Sequence, residues 1–159
     1  MAIYIDGVLA GGPTAGGPTA SDSIKHERKT ITFDSSDGNG AVGIVTAFTI
    51  TGRVLVRRLS VFCPLELASP GSATTISLGV ASDVDEFIDA AIARAIDTNQ
   101  WWIAGAVAPG AIQLGANMLD VAVSEDIIYD ILLAAVSGGT LVCDVWYEAA
   151  TDDGALVAA

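Results

Sequence analysis

The sequence has little basic charge, few reactive side chains and no long apolar run. Seven lysine and arginine residues stand against nineteen aspartate and glutamate residues among 159, which gives a formal net charge of −12. Phosphate contacts require clustered lysine and arginine, so this balance argues against a nucleic-acid partner, and it argues equally against docking on an anionic membrane. No apolar run reaches the roughly 20 residues of a membrane span, and no secretory signal is visible at the start.

Side chains that carry chemistry are also scarce. The single histidine, His26, lies in a charged stretch typical of solvated residues, and Cys63 and Cys143 each fall on an apolar strand face. No nucleophile elbow, phosphate loop or zinc spacing occurs. The oxygen-rich segment 34–40 lacks the carboxylate spacing of a calcium loop and predicts a turn. We therefore expect no catalytic residue, no cofactor and no metal; an enzyme whose paired carboxylates meet only in the fold is an alternative.

The N-terminal residues predict an extended arm over 1–27. The pentapeptide GGPTA occurs twice, at 11–15 and 16–20, and its glycines and prolines oppose both helix and central strand. The apolar tip Ile3, Tyr4 and Ile5 is interpreted as an anchor for a partner, or alternatively as a frayed terminus. A basic cluster of Lys25, Arg28 and Lys29 follows as a polar dock, or alternatively as a solvated strand start.

Residues 28–159 predict one domain of about eight short strands with period-two alternation. Three strands are expected to have apolar faces. The first face holds Val42, Ile44, Phe48 and Ile50, the second Leu55, Leu59, Val61 and Cys63, and the face of the last long strand Leu141, Cys143, Val145 and Tyr147. Pro64 is expected to end its strand, and Ser137-Gly138-Gly139 to form a tight hairpin. The fold class is an antiparallel, jelly-roll-like β-sandwich.

One segment departs from the period of two. Between residues 83 and 97, apolar side chains recur at the spacing of an amphipathic helix, and acids fill the first turn. This pattern predicts one short helix over about 83–97; an irregular excursion between strands is the competing interpretation.

Trp101, Trp102 and Trp146 raise a sugar-binding alternative, because flat indole faces stack on the apolar faces of sugars. Neighbouring residues of an extended segment point in opposite directions, so one indole is expected in the core and one outside. The competing interpretation places both in the core or in a subunit interface.

Charge is unevenly distributed along the chain. Residues 1–58 hold six bases and five acids, a net of +1, whereas residues 59–159 hold one base and fourteen acids, a net of −13. Such an asymmetry suits pairing with further copies or with a polar partner lattice. The alternative is that the acids only solubilise an apolar domain.

Several segments together resemble small virion proteins encoded among the structural genes of tailed bacteriophages. The similar pieces are residues 43–56, 73–80, the Trp101-Trp102 pair, Gly138–Leu141, Trp146-Tyr147 and Asp153-Gly154. Such proteins are similar to jelly-roll capsid decoration (cement) proteins. The resemblance implies synthesis in the host bacterial cytoplasm and a place on the capsid surface. It further implies a homotrimer that bridges subunits of the major capsid protein. A head-fibre or tail-tip module that binds a receptor or glycan is the alternative.

Overall fold

The computed structural model describes residues 23–104 and 106–159, together with the backbone of two short N-terminal strands. Within these residues the chain forms strands and two 3₁₀ turns, Ala93–Ala95 and Ala116–Met118, but no α-helix. The strands are β1 (Tyr4–Ile5), β2 (Val8–Leu9), β3 (Lys25–Thr32), β4 (Gly43–Thr51), β5 (Val54–Ala68), β6 (Thr75–Val80), β7 (Asp83–Ile92), β8 (Gln100–Ile103), β9 (Ala106–Pro109), β10 (Val121–Val123), β11 (Ile127–Leu132), β12 (Gly138–Ala149) and β13 (Ala155–Ala158).

Two antiparallel sheets make up the body, and the prediction of an all-β sandwich is confirmed. The six-stranded sheet has the order β3-β12-β5-β8-β9, with β10 on the same edge of β5 as β8. The five-stranded sheet has the order β13-β4-β11-β6-β7. The first strand of the body begins at Lys25, three residues before the predicted domain start at Arg28. β1 and β2 pair with each other as a short hairpin.

The inner faces of the two sheets form the core. Leu141, Cys143, Val145 and Tyr147 of β12 are all buried, as predicted, and Cys63 and Cys143 are free and buried. Burial raises the pKa of the Cys63 thiol to about 11, so this thiol stays protonated and unreactive near neutral pH.

Connections between the sheets overturn the predicted hairpin at Ser137-Gly138-Gly139. β11 pairs with β4 and β6, whereas β12 pairs with β3 and β5, so this segment carries the chain from one sheet to the other. Gly139 has a φ of 100°, and its backbone packs directly on Glu66 of β5. Gly139 is therefore needed for close approach to a second strand and not for a two-residue turn.

Bulges change which side chains point inward. On β4 an extra residue next to Ala47 shifts the register against β11, so that Val45, Ala47 and Phe48 are buried. The prediction that Val42 and Ile44 face the core is therefore wrong, since 56% and 57% of their surfaces are exposed.

β5 carries three further register shifts against β12, at Arg57, at Cys63–Pro64 and at Glu66–Leu67. One extra residue at Arg57 leaves Leu55 only half-buried and turns Val54 and Val56 inward, contrary to the prediction for Leu55. A second register shift spans Cys63 and Pro64, and the strand continues to Ala68. Pro64 does not end the strand, because it lies in a bulge. At a bulge the ladder of hydrogen bonds is interrupted, so the N–H that proline lacks is not needed.

The helix predicted over 83–97 is wrong, because β7 occupies Asp83–Ile92 and a 3₁₀ turn follows. Register shifts against β6 insert extra residues into β7, so that Phe87 and Ile88 are both buried although adjacent. Each inserted residue shifts the inward–outward alternation of side chains by one position. Apolar residues then recur three and four positions apart, as they would on a helix. Ile92, a member of the expected apolar stripe, is 47% exposed.

Gly139→Ala tests the sheet crossover. An added Cβ would lie 2.3 Å from the Glu66 carbonyl oxygen, and the positive φ disfavours any Cβ, so we expect a loss of roughly 2–4 kcal/mol in the free energy of unfolding. Gly138→Ala is the matched control, since its Cβ would meet Ala68 at an ordinary 3.5 Å. Urea denaturation measures both; equal stabilities of the two variants would contradict the assignment.

Candidate functional site

The outer face of the six-stranded sheet carries a polar and aromatic cluster centred on β12. Asp144 lies opposite Arg28 of β3 and Ser60 of β5, and Trp146 lies opposite His26 and Arg58 on the same two strands. Directly opposed residues project from the same face of a sheet, so these side chains stand in two adjacent rows. We call the following set the outer-face cluster: His26, Arg28, Arg58, Ser60, Asp144 and Trp146.

Asp144 is the anchor of the cluster. Its Oδ1 accepts a hydrogen bond from Arg28 Nε at 2.8 Å, and its Oδ2 accepts one from Arg28 Nη2 at 3.0 Å. His26 Nε2 lies 2.7 Å from Oδ1. Burial alone would raise the pKa of Asp144, but the hydrogen bonds and charge of Arg28 and His26 outweigh it and hold that pKa below the ordinary value. A carboxylate 6% exposed is thereby kept ionised on a sheet face.

Trp146 is held by the strands on either side of it. The His26 ring lies 4.7 Å from the Trp146 ring, centroid to centroid, and the Arg58 guanidinium carbon lies 3.7 Å from the Trp146 centroid. Arg58 forms no ion pair or side-chain hydrogen bond with any described residue, in contrast to Arg28 and to Arg57, which pairs with Asp120 and Glu148. Its cation is oriented by an aromatic ring and not neutralised by an acid.

A cavity of about 440 Å³ opens over this cluster. Trp101 of β8 and the segment 110–114 form its far wall, and Arg28, Arg58, Ser60, Asp144 and Trp146 form the remainder. Its volume falls within the range of about 300–1,000 Å³ typical of small-molecule sites.

The two neighbouring tryptophans point in opposite directions, as expected for an extended segment. Trp102 is 1% exposed and its ring stacks near that of Tyr129 in the core, with centroids 6.2 Å apart. Trp101 is half-buried, packs against Phe62 at 4.9 Å and lines the cavity. Of the pair, only Trp101 presents a surface to a ligand.

No family model, curated protein or solved structure matches this chain. Among residues 23–104 and 106–159, no three His, Cys, Asp or Glu side chains come together as metal ligands. In the same described part of the chain, no helix is long and apolar enough to cross a membrane.

The basic residues predicted as a dock are divided between the two faces of β3. Arg28 joins the outer-face cluster, whereas Lys25 lies over the Tyr147 ring at 5.9 Å and Lys29 donates to the Ala159 carbonyl at the opposite face. Of the predicted anchor, Ile3 lies outside the described residues, as do both GGPTA repeats, and only the backbone of Tyr4 and Ile5 is described. Their docking roles stay predictions.

Sequence reasoning placed Trp146 in the sugar-binding alternative but missed His26, Arg58, Ser60 and Asp144 as members of a site. Asp144 alternates with core residues along β12, but its β3 partners Arg28 and His26 lie 116 and 118 residues away in the sequence. Only the order of strands in the sheet brings these side chains together.

Asp144→Asn tests the anchor. Because the pKa of Asp144 is lower in the folded protein than in the unfolded chain, its contribution is present above the unfolded value and is lost as pH falls through the folded one. We expect the wild type to exceed the variant by roughly 1–3 kcal/mol near pH 7, the range for hydrogen bonds to charged groups. The difference should shrink as pH falls below about 4.

Denaturation curves between pH 2 and pH 7 measure this effect. Asp120→Asn is the matched control, because Asp120 makes one exposed ion pair with Arg57 and should change stability by only about 0–1 kcal/mol. A pH-independent difference for Asp144→Asn would contradict an ionised anchor.

Proposed function

We propose that this chain is a non-enzymatic structural protein of a tailed-bacteriophage virion. It decorates the capsid surface as a homotrimer of jelly-roll type and bridges subunits of the major capsid protein. The support comes from the resemblance of its segments to small virion proteins, from its sandwich architecture and from one surface feature. That feature is an exposed aliphatic patch, and it carries the proposal.

The patch lies at one end of the outer face of the five-stranded sheet. Leu132 of β11 pairs with Thr75, which pairs with Ile92 of β7, and the neighbouring Ile131 pairs with Gly43 of β4. We define the aliphatic patch as the following residues, which are 47–74% exposed: Val42, Ile44, Ile92, Leu132 and Leu133. Contiguous exposed apolar side chains on a sheet face are typical of protein–protein contacts.

A second copy of this chain is the occupant that fits the patch. Copies with a formal charge of −12 repel one another, so they approach most closely through surface that carries little charge. Asp130, an acid next to the patch on the outer face, is half-buried between Ile44 and Ser77. Around a threefold axis three such patches meet one another.

The size of the patch limits how strong this contact is. Complete burial of an aliphatic side chain contributes roughly 1.5–3 kcal/mol, so five half-exposed side chains contribute on the order of 4–7 kcal/mol per copy. Association costs about 4–15 kcal/mol. The trimer is therefore weak in solution, and repeated attachment to a lattice supplies the remaining stability.

Ile44→Asp and Leu133→Asp test the patch. The wild type should form trimers that dissociate on dilution, and each variant should stay monomeric at concentrations where the wild type is trimeric. Leu65→Asp is the control, because Leu65 is 53% exposed but lies on β5 of the other sheet. Sedimentation velocity measures the state; a monomeric wild type, or trimers of both patch variants, would rule out this interface.

Deletion of residues 2–24 tests the arm. All buried core residues of the described chain lie at Ile31 or later, so the truncated protein should keep the denaturation midpoint of the full chain. The arm orders on its neighbours in the lattice, so the truncated protein should no longer sediment with capsids of the phage whose genome encodes the chain. Undiminished cosedimentation would refute the docking role of Ile3, Tyr4 and Ile5.

A second candidate function is a head-fibre or tail-tip module that binds a glycan. The half-buried Trp101 favours it, because this indole lines the cavity beside the outer-face cluster. Trp102 takes no part, since it belongs to the core.

A further inference from the structure

Arg58 is an uncompensated cation in a strongly acidic protein. It lines the cavity, its guanidinium rests on Trp146, and no described acid pairs with it. Stacking fixes the plane of the guanidinium while leaving its N–H donors available to a ligand. A carboxylate is the group that a guanidinium fork recognises with two parallel hydrogen bonds.

The charge around Arg58 selects against multiply charged anions. Arg28, the other cation of the cavity, is already bound by both oxygens of Asp144. The fixed negative charge of Asp144 lies in the wall of the same cavity. Because Arg28 and Asp144 compensate each other, Arg58 leaves one net positive charge in the cavity, which matches a singly charged carboxylate better than a phosphate dianion.

The remaining walls suit a sugar ring. Trp101 offers an indole surface, and Ile112 and Leu114 add aliphatic surface from the segment above it. Ser60 is 7% exposed and lines the cavity, and its hydroxyl has no hydrogen-bond partner among the described residues. Uronic and related acidic sugars combine an apolar ring face, a carboxylate and hydroxyl groups.

We propose that the cavity between Trp101 and Arg58 binds a saccharide that carries one carboxylate. Trp101 stacks on the ring, Arg58 binds the carboxylate and Ser60 hydrogen-bonds a hydroxyl group. This inference deepens the second candidate function and is independent of the capsid trimer.

Calorimetric titration of the full chain tests the proposal with two matched probes. Methyl β-glucuronide carries the carboxylate, whereas methyl β-glucoside is the same ring without it, and sodium acetate is the anion without the ring. We expect saturable binding of the glucuronide at least about tenfold tighter than of the glucoside, a difference of about 1.4 kcal/mol. Acetate should bind more weakly than either sugar.

Variants assign the two roles separately. Arg58→Met should make the two sugars bind alike, and Trp101→Leu, which keeps apolar bulk against Phe62, should weaken both by about tenfold or more, as loss of stacking predicts. Arg94→Met, a change of an exposed arginine outside the cavity, should leave binding unaltered. Denaturation midpoints of all three variants show that they fold.

The outcomes separate two failures. Equal affinity of the wild type for both sugars, or an unchanged preference in Arg58→Met, overturns the acidic specificity while leaving a glycan-binding module in place. Acetate binding as tightly as the glucuronide overturns the saccharide and leaves a bare anion site. No sugar binding in any arm overturns both the inference and the second candidate function.

Discussion

Strand β12 is the constraint on which the rest of the structure depends. It lies between β3 and β5, so both of its edges are paired and its side chains alternate between two different environments. The inward residues fill the core, and the outward residues Asp144 and Trp146 meet partners from both neighbouring strands. A shift of one residue in its register would exchange the two sets, so core packing fixes the outer-face cluster as well.

Bulges determine which side chains of β4 and β5 point outward. The extra residue on β4 turns Val42 and Ile44 outward and so contributes two of the five side chains of the aliphatic patch. The bulge at Arg57 shifts the side-chain alternation of β5 by one position, so that Arg58 points outward beside Trp146. The same local device thus shapes the proposed copy-to-copy contact on one sheet and the cavity on the other.

Local pattern was enough to predict the fold class and several strands, because alternation along one strand needs no knowledge of its neighbours. In β12 the four predicted core residues, Leu141, Cys143, Val145 and Tyr147, are all buried. The helix over 83–97 failed because irregular pairing of β7 imitates helical spacing. The hairpin at Ser137 failed because a glycine pair signals close approach as well as a turn. Most of the site was not predictable, since Arg28, Asp144 and Arg58 meet only through strand order.

The proposed role of this chain on a capsid is tested most directly by electron cryomicroscopy of capsids with and without the full chain, which compares the outer surface of the particle. We expect added density in groups of three at repeated positions. Each group should turn its five-stranded sheets toward a threefold axis and contact more than one major capsid subunit. Capsid surfaces identical with and without the chain, or density confined to the tail, would contradict the proposed role.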